Sequence, residues 1–299
     1  MRSLRFAAWL TLALVSLIAI CPDFFATYSP TRQYRDLPYA APGFYKGASL
    51  QWFVKGEPYR VLGIIPASRR LIGSPEPGRI FLLGSDEFGR DWYSRLCHGA
   101  SISLLVAPLA AAISLALAVC LGIVAGYQGG WIDLFLVKAS EVFIVLPWFY
   151  VVVALRAALP LTLSGPLGLV IVFAVLAGLG SATPARVFRG LVQSLKNREF
   201  LLAGHAAGAS TGRLFRYHVL PFLLPTMRTQ FLVSVPAFIV TEVTLSFLGL
   251  GIAEPTPTWG SMLIPLQQYV VLTSYPWMFA PAVVVVVVCL ALQIVAREQ

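Results

Sequence analysis

Residues 102–127 read ISLLVAPLAAAISLALAVCLGIVAGY, a run without a charged side chain. About 20 apolar residues in a helix cross the hydrocarbon core of a bilayer. This run is longer than that, and the charge-free interval around it extends from Arg95 to Asp133. We therefore predict a transmembrane helix here, and with it an integral membrane protein.

The composition of the whole chain agrees with a bilayer environment. The 299 residues are 58% hydrophobic and 12% charged, whereas soluble domains carry about 25% charged residues. The formal net charge is +9, which in a soluble protein could indicate nucleic-acid binding. Here the charges fall in loops between apolar runs, so we predict membrane lipid as the partner and no nucleic acid.

Five further apolar runs predict an all-α polytopic protein with about six transmembrane helices. The predicted spans are about Phe6–Cys21, Ile102–Tyr127, Leu134–Leu155, Leu167–Ala185, Leu220–Gly249 and Trp277–Ala296. We interpret the first as a retained anchor helix, since no A-x-A cleavage site follows it. The predicted domains are an anchor at 1–22, an extracytoplasmic loop or small cap at 23–98, and a core at 99–299 with a cytoplasmic coupling loop at 186–219.

The distribution of basic residues predicts the orientation. Arg2 and Arg5 precede the first span, and the loop between spans four and five holds six basic residues against one acidic residue, Glu199. Positive charge in short loops marks the cytoplasmic side. Six alternating spans satisfy both signals, so we predict the inner (cytoplasmic) membrane, both termini in the cytoplasm, and a small irregular or β-containing cap outside.

The loop at 186–221 contains a short predicted helix, from Arg198 to Ala207, with a surface of small residues. Gly208 follows it and suits a helix C-terminus, where a positive φ is needed. Small residues allow the backbone of another protein to approach closely. An amphipathic connector resting on lipid headgroups is the alternative.

The same loop resembles the cytoplasmic EAA loop of binding-protein-dependent ABC importer permeases. The matching positions are Leu202-Ala203-Gly204, Gly208 and Val219-Leu220-Pro221. Two positions depart from that pattern, since Leu202 replaces the family Glu and Gly204 replaces the second Ala. The resemblance implies that the residues contacting the partner ATPase are Leu202, Ala203, Gly204, Ala206, Ala207, Gly208, Leu220 and Pro221.

Two more segments resemble the peptide and nickel permeases of that family, and look like the C-type subunit of dipeptide and oligopeptide importers. One runs from Leu83 to Leu104 and contains Asp86, Gly89-Arg90-Asp91 and Ser94-Arg95; the other runs from Leu245 to Met262 and contains LSFLGLG, Pro255, Pro257 and Trp259-Gly260. The breaks around Gly249 predict that Trp259 and Gly260 belong to an outer gate, with a plain extracellular turn as the alternative.

Four charged residues fall within predicted spans, namely Lys138, Glu141, Arg228 and Glu242. Lys138 and Glu141 are three residues apart on one helix and are predicted to pair. Glu242 has no partner of opposite charge nearby on its helix, which makes it a candidate residue of the solute pathway. The alternative is that it reaches headgroup water, since it lies shortly before Gly249.

The resemblance implies a permease subunit that translocates di- or oligopeptides, or similar solutes, delivered by a solute-binding protein. It also implies a heterodimer with a second permease and two ATP-binding cassette ATPase subunits, which bind the ATP. We predict no catalytic residue, no cofactor, no metal site and no enzyme activity, because the histidines fall in or beside loops and no phosphate-binding Gly-rich motif occurs. The alternative function is an ion-coupled secondary transporter, although the sequence shows no inverted repeat.

Overall fold

The computed structural model describes residues 2–61, 64–158, 165–252 and 254–297. The α-helices in this part are α1 (Arg2–Ile20), α2 (Pro22–Phe25), α3 (Trp92–Gln128), α4 (Gly130–Val145), α5 (Trp148–Ala158), α6 (Gly165–Gly180), α7 (Ala182–Lys196), α8 (Glu199–Ala206), α9 (Thr211–Leu214), α10 (Leu220–Phe247), α11 (Tyr269–Ser274) and α12 (Ala280–Ala296). A π-helix covers Phe215–Val219, and 3-10 helices cover Ser261–Gln267 and Pro276–Phe279.

The predicted helical membrane fold is confirmed, with between four and six spans. Four continuous stretches are long and apolar enough to cross a bilayer: Ser3–Ile20, Trp92–Gln128, Thr211–Phe247 and Pro276–Ala296. Two bent pairs qualify when each is counted as one span: Gly130–Val145 with Trp148–Leu155, and Val170–Gly180 with Ala182–Lys196.

The predicted single helix Leu134–Leu155 is interrupted. Its two parts, α4 and α5, meet at an angle of 83°. Pro147 lies at the break and cannot donate a helical hydrogen bond. The residue before it, Leu146, is extended with φ −63° and ψ 122°, as expected for a residue that precedes proline. The second bent pair turns by 40° at Ser181.

The segment between α2 and α3 contains short antiparallel sheets. Strands β1 (Gly43–Tyr45) and β4 (Arg79–Phe81) pair with each other. Strands β2 (Gln51–Val61) and β3 (Ile65–Gly73) form a hairpin whose register shifts between Lys55 and Tyr59. These strands agree with the prediction of β structure in this segment; its extracytoplasmic placement stays a prediction.

The chain forms two compact units. Unit 1 comprises Met1–Pro108 and Pro236–Val295, and unit 2 comprises Leu109–Val235 and Ala296–Gln299. This division reflects the packing of the chain. The predicted division at residues 22 and 98 reflects the expected membrane boundary instead, and it stays a prediction.

Each unit has a hydrophobic core of its own. In unit 1, Trp92, Met262, Val271 and Met278 are buried together. In unit 2, the core joins α3, α7, α8, α9 and the start of α10. Its fully buried members include Ala118, Phe188 and Leu223.

Candidate functional site

The coupling segment, residues 199–221, begins with helix α8 and a left-handed turn. Gly208 has φ +78°, and the backbone N–H of Ala209 donates to the carbonyl of Gly204 at 3.0 Å. This is the six-to-one hydrogen bond of a Schellman motif, with glycine at the residue that takes positive φ. The predicted short helix and its glycine terminus are therefore present.

Small side chains form the exposed surface of this segment. Ala203, Ala206, Ala207 and Gly208 are exposed, and the side chain of Leu202 lies outside the described part. A surface of this kind leaves the helix backbone open to close approach by another protein.

Gly204 faces the protein rather than solvent. A Cβ at this position would lie 2.6 Å from Cδ2 of Leu214, and Leu214 is 3% exposed. The glycine that departs from the family pattern therefore lets α9 pack directly against α8.

The far end of the coupling segment widens into a π-helix immediately before Leu220 and Pro221. A proline inside an α-helix clashes with the carbonyl four residues before it, which here belongs to Tyr217. The wider π turn over Phe215–Val219 moves that carbonyl away and lets the chain enter α10 without a break. Such π turns occur frequently at functional sites. Leu220 is 38% exposed and Pro221 is also exposed.

A close helix contact lies beneath the coupling segment. A Cβ at Gly122 of α3 would lie 2.8 Å from the carbonyl oxygen of Ala185, and one at Gly126 would lie 2.7 Å from that of Arg189. These glycines, four residues apart, let α3 and α7 approach with their backbones nearly in contact. Because α8 and α9 insert Leu201 and Leu214 into the same core, the coupling segment is attached to a tightly packed helix pair.

Unit 1 contains a second cluster, around what we call the outer segment, residues 254–268. The carboxylate of Glu254 accepts from Nη1 of Arg90 and from Nη2 of Arg95, both at 2.7 Å. Arg90 Nε also donates to Asp86 at 2.6 Å. Arg95 is 1% exposed. The two segments that separately resembled the peptide permeases thus form one ion-pair network.

Asp91 does not pair with its neighbour Arg90. Instead its Oδ2 accepts from the backbone N–H of Ser94 at 2.9 Å and from the Ser94 hydroxyl, so that it caps the N-terminus of α3. Burial raises the pKa of Asp91 to about 7, against the opposing effect of the Ser94 hydrogen bonds. The Arg90 guanidinium is left for Asp86 and Glu254.

Glu242 lies in the interior of unit 1, with 1% of its surface exposed. Its carboxylate accepts from the hydroxyls of Ser103 and Ser246, each at 2.8 Å. The Ser103 oxygen in turn accepts from the backbone N–H of Trp259 at 3.4 Å. Glu242 therefore connects α10 to α3 and, through Ser103, to the outer segment. Its predicted role in a solute pathway stays a prediction.

Trp259 and Gly260 lie in the buried part of the outer segment, which covers residues 257–262. Trp259 is 0% exposed, and its indole N–H donates to the carbonyl of Leu96 at 3.2 Å. At Gly260, a Cβ would lie 2.5 Å from the carbonyl oxygen of Val243. Whether the segment is an outer gate or a plain extracellular turn stays a prediction.

The structure also identifies residues that the sequence interpretation did not single out. The spacing of Gly122 and Gly126 is a recognisable helix-packing signal, G-x-x-x-G. Glu254 carries no local signal except that it is the only acidic residue between Glu242 and Glu298. The predicted pair of Lys138 and Glu141 is confirmed, with 3.0 Å between Nζ and Oε2.

Comparison with known proteins identifies the family. Residues 118–297, more than half of the chain, match the family described as binding-protein-dependent transport system inner membrane component. This chain belongs to that family. The matched region contains the whole coupling segment and the outer segment, whereas Arg90, Arg95 and Ser103, which contact the outer segment or Glu242, precede it.

Relatives of this inner membrane component are peptide transport permeases. It is 42% identical over 179 residues to the dipeptide transport system permease protein DppC of Bacillus subtilis, which is 60% of this chain and 54% of that protein. It is 33% identical to the oligopeptide permease OppC of the same species over 69% of this chain and 65% of that protein. With the di/tripeptide permease DppC of Pseudomonas aeruginosa it shares 30% identity over 87% of this chain and 75% of that protein.

The first of these matches spans about half of the relative's length. The names of the relatives favour the ABC permease prediction over the ion-coupled alternative, and they describe transport proteins rather than enzymes. Family membership also agrees with an inner-membrane location.

Proposed function

We propose that this chain is a permease subunit of an ATP-binding cassette importer that moves di- or oligopeptides across the inner membrane. The observation that carries the proposal is the coupling segment, whose exposed small residues Ala203, Ala206 and Ala207 sit on a helix held from behind by Leu201 and Leu214. Such a helix can enter a groove of a partner and transmit its movement, because its own attachment is buried.

The proposed partners are a second permease subunit, two ATPase subunits and a solute-binding protein on the outer side. The ATPases bind the ATP, and this chain needs no cofactor of its own. Because Leu202 stands where the family has Glu, we expect the ATPase contact to depend on packing rather than on an ion pair at that position. Closure of the ATPases would move α8 together with α3 and α7, as alternating access requires.

A bulky side chain on the exposed face of α8 tests the proposal. Ala207→Trp adds volume where the partner would approach, and overfilling a packed contact costs about 1–3 kcal/mol. We expect reduced co-purification of the ATPase and loss of peptide-stimulated ATP hydrolysis in vesicles with binding protein present. Ser194→Trp, at an exposed position of α7 outside the coupling segment, is the control and should leave coupling normal. Equal coupling in both variants would refute docking through α8.

We also propose that both termini and the coupling segment are cytoplasmic and that the β2–β3 hairpin is extracytoplasmic. Lys55 lies in β2 and Lys196 ends α7, and both are exposed. In a background lacking the four native cysteines, Lys55→Cys should react with an impermeant thiol reagent in intact cells. Lys196→Cys should react only after permeabilisation, and its labelling in intact cells would contradict this orientation.

A further inference from the structure

Unit 2 contains an apolar groove that neither the coupling segment nor the outer segment uses. Its volume is about 550 Å³, within the range of about 300–1,000 Å³ for small-molecule sites. Helices α3, α4, α6 and α7 line it, and all belong to candidate membrane spans. Its apolar lining includes Leu117, Leu121, Phe135, Phe143, Val175 and Leu179.

Charged side chains collect near one part of this groove. Arg186 and Arg189 line it directly. Arg189 forms a bidentate pair with Asp133, which neutralises it. Arg186 lies 3.6 Å from Glu141, and Lys138 lies 3.0 Å from the same carboxylate. Two cations thus share one anion, and the rim keeps one unit of positive charge.

We propose that this groove binds an anionic phospholipid, with an acyl chain along the apolar lining and the phosphate at Arg186. The charge at the rim matches one phosphodiester, and the Arg186 side chain is 40% exposed, so its guanidinium is accessible to a headgroup. Basic pockets between membrane helices on the cytoplasmic side are suited to anionic headgroups.

The charge beside the groove favours an anionic lipid over an apolar helix of another subunit. The phosphate of a lipid would compensate the net positive charge at Arg186, which an apolar helix would leave uncompensated. A flexible acyl chain can follow the apolar lining.

The first test fills the groove. A Cβ at Gly178 meets nothing within 4 Å, and Gly178 lines the groove, so Gly178→Leu extends into it without backbone strain. Gly190→Leu is the control, because Gly190 also meets nothing within 4 Å and lies outside the lining. The assembled importer is placed in nanodiscs of phosphatidylglycerol and phosphatidylcholine, and the phosphatidylglycerol retained after detergent extraction is counted by mass spectrometry. We expect Gly178→Leu, but not Gly190→Leu, to lose retained lipid relative to the wild type.

The second test removes the charge. Arg186→Gln should raise the phosphatidylglycerol fraction needed for half occupancy by about fivefold, the effect of one basic side chain near a membrane surface. Lys196→Gln removes one charge from the same helix away from the groove and should change nothing. Unchanged retention in both Gly178→Leu and Arg186→Gln would overturn the proposal. A disulfide formed between Leu121→Cys and a cysteine of the second permease would also overturn it, since a protein would then occupy the groove.

Discussion

Arg95 donates to the carboxylate of Glu254 at 2.7 Å across 159 positions of the sequence. The arginine is almost completely buried, whereas half of the Glu254 side chain is exposed. Arg95 has one ion-pair partner at the surface of the outer segment and a second, more distant one in the buried Asp86, whose Oδ2 lies 3.9 Å from its Nε. Movement of the outer segment away from α3 would leave Arg90 and Arg95 with the single carboxylate of Asp86 between them, which disfavours that movement.

Replacement of Glu254 should therefore destabilise the protein more than its exposure suggests. We expect Glu254→Gln to lower the free energy of unfolding by about 1–3 kcal/mol, because it leaves two buried arginines, Arg90 and Arg95, to share the one carboxylate of Asp86. Glu57 provides a matched control. It is equally exposed and pairs with Arg32, whose side chain is 35% exposed, so Glu57→Gln should change stability by less than about 0.5 kcal/mol. Thermal unfolding of both variants measures the difference, and equal shifts would contradict the argument.

Glu242 gives a second prediction, based on its hydroxyl donors. Glu242→Leu leaves the buried hydroxyls of Ser103, Ser246 and Thr258 without this acceptor, at a cost of about 1–3 kcal/mol for each. Glu242→Gln keeps one acceptor oxygen and should cost less. We expect the amount of membrane-inserted protein to be highest for the wild type, lower for Glu242→Gln and lowest for Glu242→Leu. Transport per inserted molecule should be unchanged in Glu242→Gln. Loss of transport by Glu242→Gln at normal protein level would instead assign this residue to the solute pathway.

Two of the glycines with positive φ, Gly208 and Gly249, provide a third prediction. Gly208 and Gly249 have φ of +78° and +75°, and a Cβ at either meets nothing within 4 Å. Substitution by alanine should therefore cost about 1 kcal/mol of backbone strain at each site. If α8 docks on an ATPase, only Gly208→Ala should also reduce peptide-stimulated ATP hydrolysis. Equal losses of hydrolysis in both variants would mean that strain alone is responsible.

The cap of α3 predicts a pH dependence of stability. Burial raises the pKa of Asp91 to about 7, from 3.8, so between these values the folded protein holds a proton that the unfolded chain has lost. The free energy of unfolding should then fall as pH rises through this window. Asp91→Asn, which still accepts from Ser94, should remove this slope when unfolding temperatures are compared at about pH 5 and pH 7.

Asp36 serves as the control for this pH experiment. Hydrogen bonds from Lys46 and Arg79 lower its pKa to about 2, so its ionisation does not change between pH 5 and pH 7. Asp36→Asn should therefore keep the wild-type slope. A wild-type slope in Asp91→Asn would show that another group is responsible.

Local signals predicted the local features of this protein. The absence of charge around residues 102–127 was enough to predict a membrane helix, since length and hydropathy alone determine it. The glycine that ends α8 was also predicted, because few other residues adopt positive φ easily. The break at Pro147 was not predicted, because the apolar run continues through it. Hydropathy depends on side chains and is not affected by the backbone N–H that proline lacks.

Contacts distant in sequence could not be predicted in the same way. Glu254 belongs to no local pattern, and its partners Arg90 and Arg95 become visible only after folding. Glu242 has no partner of opposite charge nearby on its own helix, whereas one of its donors, Ser103, lies on α3. A carboxylate satisfied by hydroxyl groups has no charge signature in the sequence.

The contact of Gly122 and Gly126 with α7 has a consequence for biogenesis. Helix α3 is synthesised before α7, which begins at Ala182, roughly 60 residues after Gly122. At a synthesis rate of about 5–20 residues per second, the delay between them lasts roughly 3–12 s. During that interval the flat glycine face of α3 is open to any small-residue helix that inserts nearby. The ribosome thus creates a short period in which wrong pairing is easiest, and slower synthesis between the two helices would lengthen it.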